Sequence, residues 1–350
     1  MTLTRNSNIE LFRIITMLMI IAHHYVVNSG LYHLMSENPL NFNSYFLYLF
    51  GMWGKTGINC FILITGYYMC QSQITGKKFI KLLFEICFYN AIIYLMFVLT
   101  GIIEYDFKIC IIQIIPFKNI GSGFISAYIL FYLFIPYLNT LINNINKKQH
   151  ILIIALSLFI YTIWYMSPFD VKYNYISWFI VIYFIASFIR IYPYKIYKNF
   201  IFWKYMLCIS IFISCFSVIY NLHNNILPYK LVSDSNAIMA VITSLSAFMY
   251  FVNLKIKQNK LINILAMSIF GVLLIHANSD TMRNWLWKDI LHNIQYFNNT
   301  LLCLHALTSV IVVFVTCSFI DLLRIHFIEK PFFKSKLFLS IESNITNFLK

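Results

Sequence analysis

The chain has 350 residues, of which 60% are hydrophobic, 19% aromatic and only 11% charged. Soluble domains average about 45–50% apolar and about 25% charged residues, so this sequence cannot supply the surface that two or three soluble domains would need; a cytosolic enzyme, a disordered chain and a coiled coil are excluded. The formal net charge of +14 does not mark a nucleic-acid binder either, because Lys and Arg fall in short clusters between long apolar runs rather than on one face of a soluble domain.

That pattern is expected of a polytopic membrane protein. Only helices and closed barrels satisfy their backbone hydrogen bonds within a bilayer, and the apolar runs far exceed the ~10-residue alternating strands of a barrel. An all-α membrane protein of about ten transmembrane helices is therefore predicted. In chain order the spans are Ile9–Val27, Tyr45–Met69, Leu82–Ile103, Phe124–Ile142, Ile151–Met166, Ile176–Ile191, Phe202–Tyr220, Ala237–Val252, Leu261–His276 and Leu301–Leu323. The fifth, sixth, eighth and ninth are short against the ~20 residues a crossing needs. Phe107–Pro116 is too short to span and is expected to lie at the interface or re-enter.

With a cytoplasmic N-terminus, 18 of the 26 Lys and Arg fall on the cytoplasmic side, among them Arg5, Lys336 and Lys350, and six on the other, including Lys118. Arg13 and Lys55 lie within spans. This bias predicts cytoplasmic N- and C-termini. The first run contains Glu10, Arg13 and two His and lacks a small-residue cleavage site, so no cleaved leader is expected. Without a repeat or a linker, residues 1–350 read as one integral-membrane domain. The eight cysteines show no C-x-x-C and no zinc-type spacing with His, so neither a disulfide framework nor a metal site is expected.

Ionisable side chains inside a span cost roughly 2.5–3.5 kcal/mol each on insertion scales and are functional candidates by default. Four stand out: Arg13, His24, Lys55 and His276. Eleven helical residues separate Arg13 from His24, which puts them about 20° apart in direction and about 16 Å apart along the axis, on one face. Glu10 can pair with Arg13 at i,i+3. Lys55 lies in a segment with Gly51, Gly54 and Gly57, a composition that suggests close packing or a broken helix. His276 ends the ninth run at a depth matching His24. Each has an ordinary alternative on this evidence: Arg13 and Lys55 as snorkelling charges, the two His as interfacial polar residues. Lys77 and Lys81, at i,i+4, read either as topology-setting charge or as a clasp for an anionic ligand such as the phosphates of coenzyme A.

Several segments carry a family resemblance. Asn8–Ile9–Glu10–Leu11–Phe12–Arg13, followed ten residues on by His24, is similar to the R-x10-H signature of the acyltransferase family 3 membrane O-acyltransferases. Gly57–Ile58–Asn59 through Thr65–Gly66–Tyr67–Tyr68 resembles that family's G-V-N-x-F-x-x-I-S-G-Y-F run. Ala127–Tyr128 through Pro136–Tyr137–Leu138–Asn139, Phe270–Gly271 through His276, and Glu329–Lys330–Pro331 resemble three further family segments. The matches run in order from residue 8 to 333. Leu273 replaces a common Tyr, and Gly123 stands where related sequences often carry Trp.

The resemblance implies a ten-helix enzyme of the bacterial plasma membrane. It implies acyl-CoA, most simply acetyl-CoA, as a donor reached from the cytoplasm, with no permanently bound cofactor. The implied acceptor is a hydroxyl of a cell-surface glycan or a polyprenyl-linked saccharide. His24 carries over as the catalytic histidine and Arg13 as its motif partner. Lys77 and Lys81 stand where many members have an R-x-x-x-R implicated in donor binding, although Lys lacks the bidentate phosphate geometry of Arg. In the expected mechanism His24 is the general base, with Lys55, Asn59, His276 and Tyr128 supporting the acceptor or the oxyanion. The expected partners are acyl-CoA, the saccharide acceptor and the lipid bilayer, not nucleic acid; a homo-oligomer is left open. The alternatives are a multi-span transporter, against which the lack of a two-fold repeat argues, and a non-catalytic membrane component of polysaccharide assembly.

Overall fold

A computed structural model describes residues 6–117, 123–167, 171–335 and 338, and among these every regular element is a helix. The positive residues Arg5, Lys118, Lys336 and Lys350 lie outside the described residues. The order is α1 (Ser7–Val27), α2 (Leu31–Glu37), α3 (Phe42–Gly51), α4 (Gly54–Met69), α5 (Gly76–Leu99), α6 (Phe107–Ile114), α7 (Phe124–Asn144) and α8 (Lys147–Leu158). It continues with α9 (Tyr175–Ile191), α10 (Phe200–His223), α11 (Ile238–Asn253), α12 (Lys260–Leu265), α13 (Ile269–His276), α14 (Asp280–Asn284), α15 (Leu302–Arg324) and α16 (Lys330–Phe332). Polar residues start the helices where the apolar runs begin. The Thr75 side chain accepts from the Lys78 amide at the head of α5, and Asn146 with Gln149, and Asn174 with Ser177, form reciprocal caps on α8 and α9.

Among the described residues seven helical stretches are long and apolar enough to cross a membrane, and Tyr175–Ile191 and Ile238–Asn253 are shorter apolar helices. Two predicted spans are interrupted. Tyr45–Met69 breaks at Met52–Trp53, between α3 and α4, within the glycine-rich segment. Leu261–His276 is not one helix: α12 stops at Leu265 and α13 starts at Ile269. No Pro or Gly marks this second break. Its backbone is satisfied locally, since the amides of Met267 and Ser268 donate to the carbonyls of Ile264 and Leu265 and the Ser268 hydroxyl donates to Leu265 at 2.8 Å. At eight residues, α13 is only about 12 Å long. The segment expected at the interface forms α6, none of whose residues is buried.

Helix α1 is central and packs against α3, α4, α11, α12, α13 and α15. A buried ionic hub braces this arrangement. The Arg324 guanidinium, 3% exposed, meets Asp321 through Nε at 2.7 Å, Glu329 through Nη1 at 2.8 Å and Glu85 through Nη2 at 3.0 Å. Lys81 Nζ reaches the other Glu329 oxygen at 2.6 Å, and the Tyr89 hydroxyl donates to Asp321 at 2.7 Å. The hub ties α5 to the end of α15 and the wide turn Ile325–Glu329 that follows it. It also abuts α13, where a Cβ at Gly271 would stand 2.2 Å from Asp321 Cγ. No side chain larger than hydrogen fits there.

Removing one partner of a buried ion cluster leaves uncompensated charge, at a cost of about 3–5 kcal/mol. Arg324→Met is therefore expected to lower the thermal unfolding midpoint of the purified protein sharply. Arg324→Lys, which keeps the charge but loses the fork, is expected to fall between the two.

Candidate active site

Helices α1, α4, α5, α7 and α13 enclose two cavities end to end. One, of about 300 Å³, is lined by Arg13, Lys78, Lys81, Glu85, Thr65 and Tyr128 among others. The second, of about 320 Å³, is lined by His23, His24, Lys55, Asn90, Asn278 and Arg283 among others. Phe124 of α7 and Leu273 of α13 line both, so these two apolar side chains form a septum between the chambers. Helix α1 runs past both. Arg13 and Met17 face the first cavity and Ile20 and His24 the second, a stripe at i, i+4, i+7 and i+11 on one face.

In the second cavity the two histidines predicted to share a depth are in direct contact. His24 Nδ1 lies 3.0 Å from His276 Nε2, and His276 Nδ1 lies 2.6 Å from the Val272 carbonyl one turn back. A carbonyl only accepts, so His276 carries its proton on Nδ1 and, in the neutral ring, presents a lone pair on Nε2. His24 Nδ1–H then donates to that lone pair, which leaves the basic nitrogen of His24 at Nε2. Among the described residues no partner engages Nε2 of His24, and the side chain lines the cavity. His276 is fully buried behind it.

The neighbouring His23 has a different part. Its Nδ1–H donates at 2.6 Å to the carbonyl of Gly51, one of the end carbonyls that α3 cannot pair internally. Its ring lies over Gly54, where a Cβ would be 2.3 Å from His23 Cγ. The broken helix and the histidine thus fix each other. Immediately beyond, Lys55 Nζ donates to the Tyr175 hydroxyl at 2.5 Å and sits 5.2 Å from that ring's centre. Asn278 donates to Asn90 Oδ1 at 3.1 Å, and Arg283 pairs with Asp280 at the rim.

The first cavity gathers cations. Arg13 lies 3.7 Å from Glu10, and Lys78 donates to Ser72 and the Gln73 carbonyl, while Lys81 is held by Glu329. Of the predicted pair Lys77 and Lys81, only Lys81 lines the cavity. Lys77 lies against the Phe338 ring at 5.5 Å, and Lys78 takes its place because Lys78, Lys81, Leu82 and Glu85 form the inward face of α5.

Tyr128, expected beside the acceptor, is in the cation chamber, with its hydroxyl 3.5 Å from Thr65. Asn59 lines neither cavity. Its amide oxygen accepts from Trp178 Nε1 at 2.8 Å and its nitrogen donates to the Ser235 carbonyl at 2.7 Å, so it bolts α4 to α9 and to the segment before α11. The matched residue Asn139 is likewise structural, donating to Met69 at 3.0 Å and accepting from Tyr183 at 2.5 Å.

Beyond the expected site residues, the cavities are also lined by Lys78, Glu85, Asn90, Tyr175, Asn278 and Arg283. The rule that singles out ionisable residues within spans applies to Glu85 in the third run and to Asp321 in the tenth. The others come to the cavity only through tertiary packing.

Apolar helices surround a partnered histidine and a group of cations, the arrangement of a helical membrane protein with a polar interior site. A family model described as an acyltransferase domain matches residues 6–321, and the chain belongs to that family, acyltransferase family 3. No curated protein and no solved structure matches it.

Gly54→Ala is expected to push His23 off its carbonyl and to destabilise the protein by about 1–3 kcal/mol, as overpacking does. Thermal unfolding of the purified variant measures this.

Proposed function

We propose that the protein is an integral-membrane O-acyltransferase, a single domain of about ten membrane crossings with both termini at the cytoplasmic face of a bacterial plasma membrane. It moves an acyl group, most simply acetyl, from a CoA thioester to a hydroxyl of a cell-surface or lipid-linked glycan. The observation that carries this reading is the placing of His24, which lines the cavity with its Nδ1 held by His276 and, among the described residues, no partner on Nε2. In this orientation the Lys-rich loops put the Arg13 chamber on the cytoplasmic side and the His24 chamber on the outer side.

The chain's residues divide the reaction between the two chambers. Arg13, Lys78 and Lys81 give the first the charge to hold an anionic donor. Its volume is at the small end of ligand sites, so the pantetheine arm enters while the nucleotide stays at the mouth. The acyl end passes between Phe124 and Leu273 toward His24. Nε2 of His24 then accepts the proton of the acceptor hydroxyl as its oxygen bonds to the thioester carbonyl carbon. The C–S bond breaks as the tetrahedral intermediate collapses, the electron pair leaves on sulfur, and the thiolate takes up the proton that His24 releases. His276 positions the base and stabilises the imidazolium through Nε2, much as the carboxylate does in a Ser-His-Asp triad.

His24→Ala is expected to abolish acylation, read as loss of one acyl mass from the surface glycan in mass spectrometry; wild-type acylation in that variant would overturn the assignment. His276→Ala keeps the base but frees its ring, and is expected to lower kcat roughly 10²-fold or more with the KM for acyl-CoA little changed.

The septum gives a separate expectation. Leu273→Ala opens the passage between the chambers and should raise transfer from butyryl- and hexanoyl-CoA relative to acetyl-CoA. An unchanged chain-length profile would show that the acyl group does not pass this point.

A further inference from the structure

The His24 chamber holds an unbalanced charge. Among the described residues its lining includes two cations, Lys55 and Arg283, and no carboxylate. Arg283 is answered at the rim by Asp280. Among the described residues no carboxylate answers Lys55: its hydrogen bond goes to the neutral hydroxyl of Tyr175 and it lies against that ring's face. A partly buried ammonium inside a membrane protein is costly unless an anion or water-filled space accompanies it.

That anion does not come from the donor in the reaction proposed above. The phosphates of a CoA ester belong with Arg13, Lys78 and Lys81 on the far side of the Phe124–Leu273 septum, and the acyl end that crosses it is neutral. The substrate that enters this chamber from the outer side, and can bring an anion with it, is the acceptor. In the same chamber Asn90 and Asn278 bond to each other through one amide hydrogen, which leaves the Asn90 nitrogen and the Asn278 oxygen as a donor and an acceptor of the kind that sugar hydroxyls match.

Building on the acyltransferase reading, we propose that the acceptor is an acidic saccharide, with a carboxylate or phosphate oxyanion seated on Lys55 Nζ and the reacting hydroxyl presented to His24 Nε2. The ammonium forms a charge-assisted hydrogen bond that a neutral sugar cannot replace. It thus selects the acceptor and fixes which hydroxyl reaches the base.

The test is protection of His24 from diethylpyrocarbonate, read by mass spectrometry of its peptide in the purified full-length protein. The competitors are glucuronate, glucose 6-phosphate and glucose at constant ionic strength. The acidic sugars are expected to protect at concentrations roughly tenfold lower than glucose. Protection by glucuronate alone identifies a uronic-acid acceptor, and by glucose 6-phosphate alone a phosphorylated one. Lys55→Met should erase the difference and Lys55→Arg preserve it, with the reactivity of His24 without sugar as the folding control. Equal protection by all three sugars, protection by none, or a preference that survives Lys55→Met would overturn the proposal; the last two would leave Lys55 as a group acting on the oxyanion or on packing. Acetyl-CoA binding by the same preparation reports separately on the acyltransferase reading: donor binding without sugar discrimination overturns the acidic acceptor alone.

Discussion

The structure depends on how one buried guanidinium is shared. Arg324 meets Asp321, Glu329 and Glu85, drawn from α15, the turn after it and α5. In a low-dielectric interior each of these groups would be prohibitive alone, and they persist because each carboxylate is bonded to the one guanidinium. Asp321 in turn rests against Gly271 and so sets how closely α13 approaches α15. Helix α13 carries His276 five residues further on, and His276 fixes the ring of His24. A chain of contacts thus links an ionic hub at one end of α15 to the tautomer of the proposed base. Lys81 joins the hub through Glu329, so the same carboxylate network also places one of the cations of the first chamber.

Helix α1 lays out the chemistry along a single stripe. Its Arg13 and His24 are about 16 Å apart by helical rise, and each opens into its own chamber. The separation keeps Arg13, Lys78 and Lys81 away from the imidazole. Putting the three donor-side cations beyond an apolar septum leaves Lys55 as the one near cation not answered by a carboxylate among the described residues. Under the acyl-transfer reading, this division of charge between the chambers separates the donor's side from the acceptor's.

Much of this was legible in the sequence because membrane insertion restricts polar residues so strongly. The helical class, the stripe from Arg13 to His24 and the shared depth of His24 and His276 all follow from periodicity and from the expense of buried charge. The break near Gly51–Gly54 was readable from composition. The break at Ala266–Ser268 was not, because no Pro or Gly marks it and the turn is stabilised by local hydrogen bonds. The choice of Lys78 over Lys77 depends on the rotation of α5, which tertiary packing sets and i,i+4 spacing does not. Asn59 reads as a site residue from its place in a matched segment, whereas its amide joins helix to helix, as does that of Asn139 in another matched segment. In a membrane interior a side-chain amide is a scarce way to bridge backbone groups, and structural use accounts for it as well as chemistry does.

The shortness of α13 has a consequence for how the two chambers communicate. Leu273 and His276 are three residues apart on the same eight-residue helix, so the α13 half of the septum and the group that orients the base move as one body. A displacement of α13 that widened the passage would also shift His276 relative to His24, whose own helix is anchored independently by its packing on α3, α4 and α15. The hub resists such a displacement through Asp321 and Gly271. Under the acyl-transfer reading, the geometry that admits the acyl group and the geometry that readies the base are therefore not separately adjustable. A short helix leaning on a buried ion cluster gives both a single setting, whereas a full-length span flexing along its axis would let them drift apart.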